Sequence, residues 1–182
     1  MLIMSVFMVM IISAMIHIVN PTIQTENMRD ASDQLDLAFL DLDSEVRYAY
    51  DIWAPYAGSN GNDWDIEYES TFNGAVEPTC SELHYNYKSG KLFQASWSEG
   101  ATTAPSFKML VNDLTGSSDP FQVIQNSSYE KVQLTVTLSA ASGSGVGKET
   151  SSSSMTFTAL NSTSYEEATS ADTQCTASWT AT

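Results

Sequence analysis

The chain has 182 residues, with 22 acidic side chains against 7 basic ones and a formal net charge of −15. Such an acidic chain repels phosphate backbones, because nucleic-acid affinity comes mainly from Lys and Arg that neutralise phosphates. Direct DNA or RNA binding is therefore not expected. Once the apolar N-terminus is set aside, the length suits one globular domain of about 100–150 residues.

The N-terminal segment, residues 1–19, is apolar except for Ser5, Ser13 and His17. The first acidic side chain is Glu26 and the first basic one is Arg29. As a helix, this run has close to the length that spans a bilayer core. A secretory signal peptide would need a basic n-region and a small-residue cleavage site, and neither is present. A buried core helix, a membrane anchor, and a helix that moves from membrane to filament core are the remaining interpretations. His17 is interpreted as a neutral imidazole rather than a functional group.

An amphipathic pattern follows Asn20-Pro21. Apolar residues recur at spacings of three and four, which predicts one apolar stripe on a helix. They are Met28, Ala31, Leu35, Phe39, Leu42, Val46, Ala49 and Trp53. We expect the helix to end before Pro55, because a residue that precedes proline avoids the α region. The sequence thus predicts one long helix over residues 1–54, with a membrane or filament-core half (1–20) and an amphipathic half (21–54). Two helices broken at Pro21 are the alternative.

The remaining residues, 55–182, predict a β-rich head. The strand signals are alternating runs between turn residues. These strands are predicted at 82–87, 91–97, 131–138, 155–160 and near 175–179. Residues 88–90 predict a hairpin turn, and the strand at 155–160 is expected to pair with the one at 131–138. Residues 57–65 are predicted as a surface loop, and residues 142–147 and 151–154 as exposed, flexible stretches. An amphipathic helix packed on an antiparallel sheet gives an α+β fold.

The two cysteines, Cys80 and Cys175, are far apart and in no CxxC pattern, so a structural zinc site is not indicated. Outside the cytoplasm we expect them to form one disulfide. Closing so long a loop stabilises a chain by roughly 4–5 kcal/mol in a chain-entropy model. Two buried free thiols are the alternative.

Candidate chemical sites are few. Asn60, Asn62, Asp63 and Asp65 offer oxygen ligands that suit Ca²⁺. Their spacing is not that of an EF-hand, however, and a solvated acidic loop is the favoured interpretation. His84 has no Cys or His partner nearby in the sequence. No GxSxG, P-loop or Rossmann fingerprint occurs, so neither an enzyme nor a cofactor is predicted.

Two segments match the N-glycosylation pattern, Asn126-Ser127-Ser128 and Asn161-Ser162-Thr163. The Ser/Thr-rich stretch 149–154 could accept O-linked sugars. Because such patterns are short and frequent by chance, they mark candidate positions only.

Residues 1–55 resemble the N-terminus of mature type IV pilins and pseudopilins. Members of that family start directly with an apolar helix, carry a proline soon after it, and continue into an amphipathic half-helix on a β-sheet head. Pro21 stands at the matching place, and residues 35–49 (LDLAFLDLDSEVRYA) are similar to the second half-helix of actinobacterial and pseudopilin-like members. The sequence departs from the family at Ser5, where a glutamate usually pairs with the terminal amine of a neighbouring subunit.

The resemblance implies a structural subunit of an extracellular, cell-surface filament made of identical copies. The apolar segment would hold the unassembled protein in the membrane, and a pilus assembly machinery would then transfer it into the filament core. A minor pilin or pseudopilin, or a single-pass membrane-anchored binding module of the adhesin type, are the alternatives. The residues expected to carry assembly are Met1, Ser5, Phe7, Met8, Ile11, Ile12 and Pro21.

Overall fold

A computed structural model describes residues 4, 8, 10, 11, 29, 32–58, 61–71, 78–126, 131–142 and 149–162. Within these ranges lie one continuous helix, α1 (residues 32–46), and nine strands. The strands are β1 Ala49–Ile52, β2 Tyr56–Ala57, β3 Asp63–Ser70, β4 Thr79–Asn86, β5 Lys91–Ser98, β6 Lys108–Val111, β7 Phe121–Asn126, β8 Lys131–Ser142 and β9 Glu149–Ala159.

The predicted fold class, a long N-terminal helix packed on a sheet, is wrong. The helix α1 has 15 residues, and most of the described chain belongs to antiparallel strands. In the described part of the chain, no helix is both long enough and apolar enough to cross a membrane.

The end of α1 also differs from the prediction, since the helix stops at residue 46 rather than before Pro55. The amides of Arg47 and Tyr48 donate to carbonyls of the last helical turn. The chain then enters β1, which pairs with β3. The strand is favoured because aromatic and β-branched residues such as Tyr50 and Ile52 fit a pleated sheet better than a helix.

The inner face of α1 anchors the helix to the sheets. Its buried residues recur at spacings of three and four and are Leu35, Ala38, Phe39, Leu42 and Val46. The ring of Phe39 lies 6.2 Å, centroid to centroid, from that of Phe157 in β9. Both residues belong to one buried cluster that also contains residues of β3, β4, β5 and β8. The helix and both sheets therefore share a single core.

A polar network also joins α1 to the core. The hydroxyl of Tyr68, which is fully buried, donates to Oε2 of Glu45 at 2.8 Å. The Nε2 atom of Gln94 donates to the same carboxylate oxygen at 2.5 Å and to the Tyr68 hydroxyl at 3.0 Å. The end of α1 is thus fixed by charge-assisted hydrogen bonds as well as by apolar contact.

The larger sheet has the order β1-β3-β4-β5-β6, with β2 also paired to β3. The predicted hairpin is confirmed, since β4 pairs with β5 around a turn in which Gly90 has a φ of 64°. The loop predicted at 57–65 is wrong from Asp63 onward, where β3 begins. There the Gly/Asn-rich stretch before β3 obscured an alternation that places Ile66 and Tyr68 in the core.

The smaller described sheet has the order β7-β8-β9. The predicted pairing of the strands at 131–138 and 155–160 is confirmed by the register of β8 and β9. Every second residue of β8 is buried, as expected for a strand with one face on the core. These residues are Val132, Leu134, Val136, Leu138 and Ala140. The strand predicted near 175–179 lies outside the described residues.

Candidate functional site

The predicted assembly residues include two that the structure describes. Met8 and Ile11 have helical backbone, and their exposed fractions are 65% and 48%. Outside the described residues lie Met1, Ser5, Phe7, Ile12 and Pro21. Leu37 and Leu40 are not among the predicted contact residues, yet they are 65% and 68% exposed on α1, away from its buried stripe. Their spacing of three could have indicated a second apolar strip.

The predicted disulfide and glycosylation residues lie in separate parts of the chain. Cys80 is buried and disulfide-bonded, while its predicted partner Cys175 lies outside the described residues. Asn161 is exposed, and its amide donates to the backbone carbonyl of Tyr48 at 3.3 Å. Asn126 is the last residue of β7.

A polar cluster lies on the outer face of the larger sheet, opposite α1. In an antiparallel pair, residues directly across from each other point to the same side. The register of β3 and β4 therefore brings together three outward pairs, which are Asp63 with Asn86, Asp65 with His84, and Glu67 with Glu82. The residues between them, such as Ile66 and Leu83, point into the core.

Three of the four carboxylates in this cluster have close partners. The carboxylate of Asp63 accepts a hydrogen bond from Nδ2 of Asn86 at 2.6 Å. Asp65 Oδ1 lies 2.6 Å from Nδ1 of His84.

The carboxylate of Glu67 accepts from the Tyr56 hydroxyl at 3.0 Å. Glu82 is only 8% exposed, and its carboxylate forms no hydrogen bond with the part of the chain that the structure describes.

Burial and crowding change the acidity of the cluster. Burial, followed by the negative charges of Asp65 and Glu67, raises the pKa of Glu82 to about 8, and His84 partly offsets this effect. The hydrogen bond to Asp65 raises the pKa of His84 above its ordinary value, against the opposing effect of burial. Burial and the charge of Glu67 likewise raise the pKa of Tyr56. The cluster thus favours an added positive charge.

The predicted calcium loop is assembled differently from the prediction. Asp63 and Asp65 are buried on β3 and face residues of β4, whereas Asn62 precedes that strand and Asn60 lies outside the described residues. The structure thus places the two aspartates beside His84 and Glu82. The sequence carries the alternation on each strand, but not the register that aligns β3 with β4.

No protein-family model, curated protein or solved structure matches the chain.

Proposed function

We propose that the chain is a structural subunit of an extracellular filament of the type IV pilus kind, built from identical copies through the apolar N-terminal segment. The observation that carries the proposal is the exposure of large apolar side chains there. The exposed fractions are 77% for Met4, 65% for Met8, 69% for Met10 and 48% for Ile11. Large exposed apolar side chains so close together in sequence favour an interaction site.

The apolar sequence around these positions supports the same proposal. Residues 1–19 contain no charged side chain. Burial of apolar area stabilises by about 25 cal/mol per Å², so many such side chains together favour transfer out of water into lipid or into a protein interior. A filament core made of copies of this segment provides that interior, and a membrane provides it before assembly.

The outer surface of α1 offers a second contact region. Leu37 and Leu40 lie on the same side of the helix, because residues three apart are neighbours on a helical surface. Both are exposed although the opposite side of α1 is fully packed. In a filament, these leucines would pack against an adjacent copy of the chain.

The negative net charge of the chain makes packing between copies depend on ionic strength. With a net charge of −15, identical copies repel each other at low ionic strength. Salt screens this repulsion, with a Debye length of about 10 Å at 0.1 M. Apolar contacts must therefore provide the attraction, and we expect filaments to be more stable at high salt.

The test is electron microscopy of cell-surface material sheared from cells that express the tagged full-length chain. We expect filaments that an antibody to the tag decorates. The variant Ile11→Asp places a charge in the apolar segment and should abolish the filaments. The matched control is Leu160→Asp, which introduces the same charge at a side chain 52% exposed in the β-rich part.

Two results would overturn the proposal. One is a wild-type chain that stays monomeric in detergent extracts and gives no labelled filaments, which would favour the anchored binding module. The other is filament formation by Ile11→Asp at the wild-type level, which would exclude the apolar segment as the assembly element.

A further inference from the structure

Three potential ligand groups converge on the outer face of the larger sheet. Asp65 of β3 and two residues of β4, Glu82 and His84, each offer one ligand atom, and these atoms all lie within 4.8 Å of one another. Two are buried and the third is partly exposed. Paired strands position all three, so the backbone beneath them is held by the β3–β4 ladder.

The carboxylate of Glu82 is the unusual member of this group. It is more than nine-tenths buried and faces the carboxylate of Glu67 directly across the strand pair. Like charges placed directly opposite each other are destabilising, and a buried carboxylate without a partner is costly. The hydroxyl of Tyr56 donates its hydrogen bond to Glu67 and not to Glu82. No described residue donates a hydrogen bond to Glu82, so this buried carboxylate has acceptor oxygens that could bind a cation.

We propose that Asp65, Glu82 and His84 bind one divalent transition-metal ion, with Zn²⁺ as the best fit. Carboxylate oxygen and imidazole nitrogen are ligands that Zn²⁺ accepts at about 2.0–2.2 Å. A tetrahedral ion with such bonds spaces its ligand atoms by about 3.4 Å. Separations within 4.8 Å can reach this spacing through small side-chain rotations.

The His84 imidazole distinguishes this site from a calcium site. Ca²⁺ takes six to eight oxygen ligands in most protein sites, whereas a mixed nitrogen and oxygen set suits Zn²⁺ and its neighbours. The carboxylate of Asp63 could supply a further oxygen ligand, because its Oδ1 lies 3.9 Å from Nε2 of His84. Three protein ligands leave a fourth position for water or for this carboxylate. The site goes beyond the proposed filament role, since assembly through the N-terminal segment does not require it.

The experiment uses the full-length chain in mild detergent, purified with a tag that lacks histidine and stripped with EDTA. Titration calorimetry with ZnCl₂ near neutral pH should give one ion per chain. Zn²⁺ should also raise the melting temperature. Glu82→Gln preserves the size of the side chain and should weaken Zn²⁺ affinity at least about 100-fold. The matched control Asp36→Asn removes an exposed acid of α1 and should leave the affinity unchanged.

Absence of saturable Zn²⁺ binding, equal affinity in Glu82→Gln, or saturable binding of Ca²⁺ alone would each overturn the proposal. Should Glu82→Gln fail to fold, NMR of the wild-type imidazoles provides a second measurement. The ring resonances of His84, identified by their loss in His84→Gln, should shift on addition of Zn²⁺. Unchanged resonances would overturn the proposal.

Discussion

Replacing Tyr68 by Phe tests whether the polar network under α1 stabilises the fold. The Tyr68 hydroxyl is buried and donates to the Glu45 carboxylate at 2.8 Å. A hydrogen bond to a charged group contributes about 1.5–3 kcal/mol. Gln94 still donates to the same oxygen in the variant, so the carboxylate is not left without a partner. We therefore expect Tyr68→Phe to lower the free energy of unfolding by about 2 kcal/mol.

A matched control exists in the same sheet. The hydroxyl of Tyr85 is also buried, but it donates at 2.7 Å to a neutral acceptor, the carbonyl of Gly116. A neutral hydrogen bond contributes about 0.5–1.5 kcal/mol, so Tyr85→Phe should cost about 1 kcal/mol. Urea unfolding followed by far-UV circular dichroism measures both values. If Tyr68→Phe costs no more than Tyr85→Phe, charge assistance from Glu45 is not what fixes the helix.

Three further predictions concern the core, the hairpin turn and pH. Phe39→Ala removes a ring packed on β9 and should cost about 3–5 kcal/mol in urea unfolding; a loss below 1 kcal/mol would contradict that packing. Gly90→Ala places a Cβ 2.5 Å from the carbonyl oxygen of Leu114 at a φ of 64°, and should cost about 2–4 kcal/mol. Gly100→Ala, with positive φ but open space around it, should cost only about 1 kcal/mol, and equal losses would exclude the steric explanation. Because burial raises the pKa of Glu82 from 4.5 to about 8, the stability that Glu82 contributes should be complete below pH 4.5 and should be lost as pH rises through 8. In Glu82→Gln this decline should flatten, as thermal unfolding across pH in EDTA would show; an unchanged decline would assign it to other groups.

The sequence predicted those elements whose signal is local. The hairpin of β4 and β5 has clean alternation on both strands and a glycine where the turn needs positive φ. The long strand β8 also has alternating apolar and polar residues over most of its length. In both cases neighbouring residues carry enough information to define the strand.

The prediction of where α1 ends was wrong because the helical period and the strand period cannot be distinguished over a few residues. Ala49 and Trp53 continue the helical spacing from Val46, yet they are buried in and beside a strand. A few apolar residues fit both periods equally well. Pairing of β1 with β3 then decided the conformation, and that contact is not local in sequence.

The polar cluster could be predicted only in part. The acids of β3 were recognised as possible ligands, but they were assigned to a solvated loop. Asp65 and His84 are 19 positions apart, and their contact depends on the register between two strands. Burial then turns ordinary surface acids into a group with altered acidity. Neither register nor burial can be obtained from residue types alone.

Hydrogen bonds join the residues that follow α1 to the residues that follow β9. The backbone amide of Leu160 donates to the carbonyl of Arg47, and the Asn161 amide donates to the Tyr48 carbonyl across 113 positions. Contacts so distant in sequence form late and slowly, because a long loop must close first. The buried environment of Phe39 is therefore complete only after β9, which carries Phe157, has been synthesised. Until then the ring of Phe39 lacks its contact with Phe157, and the partly folded chain exposes apolar surface that favours aggregation.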